Sequence, residues 1–255
     1  LIMKLAGWGS AFWAVTFMIV GVGGMREGRG RAGGAVRGMR EVSVPVVDGG
    51  LVGDVVVPAG AGGVVLFAHG SGSSRHSPRN MAVGRALNER GLGTMLVDLL
   101  TADEEARDEI TAELRFDIGM LAERLAGIVD WMGSDPELGR LPIGLFGAST
   151  GAAAALVAAA ARPDRVGAVV SRGGRPDLAG SSLTAVRAPT LLLVGGLDEQ
   201  VIALNEQARD ALGEVAELRI VPGATHLFEE PGTLEQVADQ AGTWFTTHLR
   251  QPHPA

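Results

Sequence analysis

The sequence predicts an α/β fold: a mostly parallel, doubly wound sheet with an antiparallel hairpin at its N-terminal end. Three observations carry this. REVSVPVVDGGLVGDVVVP, residues 40–58, holds two alternating apolar runs around Asp48-Gly49-Gly50, the signature of a hairpin. Beyond it the alternation stops, and six short, nearly unbroken apolar runs follow, as expected of strands buried on both faces. Stretches of helical periodicity separate most of those runs, and strand-helix repeats of this kind build parallel sheets.

Taken in order, the six runs are VVLFA (64–68), TMLVD (94–98), IGLF (143–146), VGAVV (166–170), TLLLV (190–194) and ELRIV (217–221). The clearest helix places Ile118, Leu121, Ala122, Leu125, Ile128, Val129 and Met132 on one face, with arginine and glutamate opposite. Residues 79–90, 150–161, 200–212 and 233–249 read the same way. TADEEARDEI, 101–110, is expected to be a solvated charged face, with an overhang above the site as the alternative. No repeat or low-complexity linker interrupts the pattern, so residues 40–250 are expected to form one domain, with 251–255 a tail.

Composition excludes several classes. At 46% hydrophobic and 20% charged residues the chain is globular rather than disordered. It has no cysteine, which rules out disulfides, thiolate metal sites and a cysteine nucleophile. Of the net charge of -7, residues 1–40 carry +5 and the remainder -12. An acidic body argues against nucleic acid as a partner.

Residues 5–24, LAGWGSAFWAVTFMIVGVGG, form an uncharged apolar run of membrane-span length, with Lys4 before it and arginines after it. The segment 1–39 is expected to be a non-native extension, with Met25 and Met39 as candidate starts; a membrane anchor or an export signal are the alternatives. On the first reading the protein is cytoplasmic, and a membrane becomes a partner only if the apolar run is native.

Chemistry in such sheets collects at the carboxyl ends of the strands. GASTG, 147–151, follows IGLF directly and opens the helical run TGAAAALVAAAA. In a chain with 38 glycines the GxSxG pattern arises readily by chance, so its strand-turn-helix context carries the argument that Ser149 is a nucleophile. A serine hydroxyl needs a base. Of the histidines after Ser149, His248 lies in a helix pattern and His253 in the tail, whereas His226 sits in PGATHLFEEPG after the last strand. The acid that orients it is expected to be Asp198, just past TLLLV, with Asp177 and Glu199 as rivals. Backbone amides must meet the oxyanion. Thr150 follows the nucleophile, and Ser71 lies in HGSGSSR after VVLFA. His69, which opens that loop, is expected to be a structural hydrogen bonder.

Together HGSGSSR, GASTG, GGLDEQV and GATHLFEEPG resemble the α/β-hydrolase superfamily, and within it the dienelactone-hydrolase-like branch sometimes fused to a phosphoribosyltransferase domain. The resemblance spans about residues 41–250. It implies an α/β-hydrolase fold and assigns Ser149, Asp198 and His226 as triad and the amides of Ser71 and Thr150 as oxyanion donors, with no cofactor and no metal. Dienelactone hydrolases themselves use a cysteine nucleophile, which this chain lacks, so a serine-type ester hydrolase is the expectation, with a non-catalytic binding or regulatory module of the same fold as its rival and, within enzymes, thioesterase or peptidase as the alternatives.

The connection 171–189 is too short for a cap domain, so an open site for small or short-acyl esters and lactones is expected. Arg172 and Arg175 are candidates for holding a substrate carboxylate, though pairing with Asp164 or Asp177 is the expected default.

Overall fold

The computed structural model describes residues 38–47 and 49–249. The expectations for the N-terminal apolar run, for Asp48 and for the tail with His253 lie outside the described residues. Within them no helix is long and apolar enough to cross a membrane.

Eight strands form one sheet in the order β1-β2-β4-β3-β5-β6-β7-β8. They are β1 (Arg40–Val46), β2 (Gly49–Val56), β3 (Val64–Ala68), β4 (Gly93–Val97), β5 (Ile143–Ala148), β6 (Val166–Arg172), β7 (Thr190–Gly195) and β8 (Ala216–Val221). The first two pair antiparallel from Val46↔Gly49 to Arg40↔Val55, and β2 joins β4 antiparallel. From β4 to β8 every pairing is parallel. The hairpin strands alternate buried and exposed residues, because only one face meets the core. Strands β3, β4, β5 and β7 are buried at every position. The one departure is β8, partly exposed along most of its length as the edge strand.

Helices cover both faces. On one side α3 (Ile118–Ser134), α4 (Thr150–Ala161) and α5 (Glu199–Leu212) contribute to one apolar cluster; on the other α1 (Pro78–Glu89) and α6 (Thr233–His248) enclose a second around Phe67, Phe146 and Phe245. Helix α4 is nearly all alanine and buried on almost every side. Its small side chains let it lie close to the sheet at the end of β5.

The acidic stretch forms a further helix, α2 (Ala102–Thr111). A capping box starts it: the Thr101 hydroxyl accepts from the Glu104 amide while Glu104 accepts from Thr101. Glu104 also takes a hydrogen bond from Arg124, and the buried Asp108 takes one from Arg115 Nε at 2.6 Å. The connection between β6 and β7 holds only 3-10 turns over Pro176–Ala185, and no cap domain stands among the described residues. This is the α/β-hydrolase fold.

Candidate active site

Ser149 sits between β5 and α4 at φ 50° and ψ -120°, a backbone conformation that favours glycine. The flanking glycines explain why the turn can be so tight. A Cβ on Gly147 would stand 2.4 Å from the Ala152 Cα, and one on Gly151 would stand 2.4 Å from the carbonyl oxygens of Ala68 and His69. Gly70 is similarly close, its virtual Cβ lying 3.2 Å from the Ser149 Cβ. The GxSxG glycines therefore let α4 start directly against the ends of β5 and β3.

The candidate base and the candidate acid reach this turn from two other strand ends. His226 Nδ1–H donates to Asp198 Oδ2 at 2.7 Å, and its Nε2 faces the Ser149 hydroxyl at 3.4 Å. Asp198 occupies the N-cap of α5, yet its carboxylate caps no amide and turns to the imidazole instead. Close contact between the two loops makes that possible. The Leu197 amide donates to Ala224 O at 2.9 Å, and a Cβ on Gly195 would meet Ala224 O at 2.5 Å. Of the rival acids, Asp177 is bound bidentately by Arg175 at 2.7 and 2.8 Å. Glu199 lies in the first turn of α5.

The sequence-predicted oxyanion residues also converge, with one added feature. The Ser71 amide donates to the Thr150 hydroxyl at 2.9 Å, while the Thr150 amide has no acceptor among the described residues. Both residues line a cleft of about 570 Å3 bounded by the 69–79 loop, Asp98–Leu100 and the acidic helix α2, with Glu105 and Glu109 at its wall. TADEEARDEI thus forms one wall of the cleft beside Ser71 and Thr150. His69 is a structural hydrogen bonder, as expected: its Nδ1–H donates to Gly70 O at 3.0 Å and its Nε2 accepts from the Leu99 amide at 3.2 Å, leaving no ring nitrogen for a substrate.

The two candidate arginines separate clearly. Arg175 pairs with Asp177, and its amide donates to Ser149 O at 3.1 Å. Arg172 is 7% exposed, and its guanidinium has no hydrogen-bond partner among the described residues; its Nε and Nη1 are fully buried there. Burial, together with the charge of Arg79 at the start of α1, pushes its pKa down to about 10.

Three supports escaped the sequence reading. Glu230 clamps the His226 loop by accepting from the Thr225 hydroxyl at 2.6 Å and the Thr225 amide at 3.0 Å, which holds its carboxyl below the ordinary value. Arg75 ties the Ser71 loop to Asp98 and Asp54. Asn205, fully buried, donates to Gly174 O at 3.0 Å and so braces the turn after β6. The sequence carries no local signal for these partners, which lie 5 to 31 residues apart.

The chain resembles known proteins along this same core. Residues 53–247 match the dienelactone hydrolase family. A solved dienelactone hydrolase from Anabaena variabilis is 57% identical and superposes with a TM-score of 0.82 over 84% of this chain and 99% of its own. Est1E from Butyrivibrio proteoclasticus, at 16% identity and a TM-score of 0.66 over 82% of this chain and 98% of its own, shares the fold. Curated relatives from Mycobacterium tuberculosis, named "Putative phosphoribosyl transferase", are 53% identical over 219 residues; these make up 85% of this chain and 48% of the relatives, so the chain spans about half their length. With most of the described core matched by the family and by a relative at this identity, the chain belongs to the dienelactone hydrolase family.

Proposed function

We propose that this protein is a serine hydrolase that cleaves small or short-acyl carboxylic esters, or lactones, through an acyl-enzyme. Family membership supports hydrolysis in general. The observation that carries the finer reading is the unbroken run from Asp198 through His226 to Ser149, with the serine on a strained turn at the start of a helix. His226 Nε2 takes the proton of Ser149 as the oxygen attacks the carbonyl carbon, and Asp198 holds Nδ1–H and steadies the imidazolium. The 3.4 Å separation of Nε2 and Oγ tightens when substrate is bound. His226 then returns the proton to the leaving alcohol, and a water activated by the same nitrogen releases the acid. No step in this scheme requires a cofactor or a metal.

The open cleft and the lack of a cap domain among the described residues favour short acyl groups. For the substrate's other end, Arg172 is the residue we assign to a carboxylate, since it alone of the pair has a guanidinium without a partner among the described residues. A fluorophosphonate probe tests the assignment: wild type is expected to label at Ser149 and Ser149→Ala to lose label and, on the order of 10⁴-fold, kcat. Absence of labelling in wild type would identify a binding module rather than an enzyme. Activity of Ser149→Ala within tenfold of wild type would overturn the nucleophile.

A further inference from the structure

We propose that Thr150 serves the oxyanion hole through its side-chain hydroxyl as well as its amide; this rests on the reading of Ser149 as nucleophile. The expected hole consists of two backbone amides, but a peptide N–H carries one hydrogen, and that of Ser71 is directed at Thr150 Oγ1, 2.9 Å away. A threonine hydroxyl has one hydrogen to give and two lone pairs. One lone pair receives the Ser71 hydrogen. The hydroxyl's own hydrogen has no acceptor among the described residues, and neither has the Thr150 N–H. Thr150 is 5% exposed, lines the cleft and immediately follows Ser149. Two donors unpaired among the described residues thus belong to the residue directly after the attacking serine, in buried surroundings where a hydrogen bond to a developing negative charge is strong.

In this arrangement the Ser71 amide acts at one remove. By donating to Oγ1 it polarises the hydroxyl, making O–H a better donor to the oxyanion, and it fixes the hydroxyl's rotation so that the hydrogen faces away from Ser71. The Thr150 hydroxyl and amide then share the oxyanion, and no bond forms or breaks beyond those of ester cleavage. Gly70, packed on Ser149, and Arg75, tied to Asp98 and Asp54, keep the Ser71 loop in place for this role.

The test compares Thr150→Val, which keeps the shape and removes the hydroxyl, with Thr150→Ser, which keeps the hydroxyl. On p-nitrophenyl acetate, Thr150→Val is expected to lose on the order of 10²-fold in kcat with little change in KM, and Thr150→Ser to recover most of the loss. Affinity for a phenylboronic acid, whose adduct on Ser149 is tetrahedral and anionic, should fall in Thr150→Val by a similar factor. Thr150→Ala is the second variant should valine disturb packing, and thermal melting verifies that each is folded. A Thr150→Val enzyme as fast as wild type, or faster, would overturn the proposal, because the released Ser71 amide would then be the donor and the hydroxyl merely its resting occupant. Failure of the underlying reading looks different: wild type itself would neither label with fluorophosphonate nor bind the boronic acid, and the proposal would fall with it.

Discussion

Replacing Arg172 with methionine should make the protein more stable and less able to use anionic substrates. The guanidinium stands at the end of β6, in a residue 7% exposed, without a hydrogen-bond partner among the described residues and within reach of the positive field of Arg79. Its pKa is held at about 10 against an ordinary 12.5, mainly by loss of water. At about 1.4 kcal/mol per pKa unit, the charged form is disfavoured in the fold by about 3 kcal/mol. The sign follows from the depressed value of a cationic group. At neutral pH the residue is charged in both folded and unfolded chains, so the full penalty acts there and is relieved only as pH rises above about 10. Methionine keeps much of the apolar stem and carries no charge, so Arg172→Met should gain up to ~3 kcal/mol, or roughly 6–12 °C in Tm for a domain of this size. Thermal melts in a buffer of low anion content measure it. In the same variant kcat/KM for p-nitrophenyl hemisuccinate, which bears a carboxylate, should fall well below that for p-nitrophenyl acetate. A lower Tm in Arg172→Met would refute the reasoning, since it would mean that the guanidinium is satisfied within the fold and needs no ligand.

Asp198→Asn should lower kcat by several orders of magnitude, whereas Asp177→Asn should leave it near wild type, because only Asp198 bonds the His226 ring while Asp177 pairs with the half-exposed Arg175; equal losses in a steady-state assay would reassign the acid. Glu104, held at about 2 chiefly by its hydrogen bond from Arg124, contributes stability that is fully present above its ordinary 4.5 and lost as pH falls toward 2, so Glu104→Gln should flatten the acid limb of a pH–Tm curve between those values. An unchanged limb would show that another carboxylate governs it. Butyrate esters of p-nitrophenol should give a higher kcat/KM than palmitate esters, since each methylene left in water forgoes about 0.8 kcal/mol of burial; a preference for palmitate would reveal an apolar tunnel.

The sheet was legible because its central strands are buried on both faces, which leaves unbroken apolar runs such as VVLFA and TLLLV. β8 reads the same way in sequence but lies at the sheet edge, and position in the strand order leaves no local mark. Helix α2 was hard to read because ADEEARDEIT has almost no apolar face; its one large apolar residue, Ile110, is exposed. Its signal was Thr101 three residues before Glu104, a capping box placed ahead of charges rather than an apolar run. The residues of the proposed triad could be chosen by type, order and position after strands, and the fold brings the three together. The arginines could not, because Arg172 and Arg175 both follow the apolar run VGAVV in sequence and differ only in what surrounds them once folded. The Ser71–Thr150 bond joins residues 79 apart and is a matter of loop approach alone.

The turn after β6 explains how a strained serine is held in place. A residue at φ 50° without glycine's freedom costs on the order of 1–3 kcal/mol, and such a conformation persists only where the surroundings over-determine it. Here both backbone groups of Ser149 are tied to one segment: its amide donates to Arg172 O at 3.2 Å, and its carbonyl accepts from the Arg175 amide at 3.1 Å. SRGGR thus clasps the elbow from both sides while carrying the Arg172 guanidinium. Its second glycine leaves no room for change, since a Cβ on Gly174 would stand 2.0 Å from Ser171 Oγ and 2.7 Å from the Ala152 Cβ. Asn205 fixes the same glycine by its carbonyl. Any displacement of this turn would be passed to Ser149 through its two backbone bonds, so the position of the proposed nucleophile is set by β6 and its turn as much as by the GxSxG sequence that marks it.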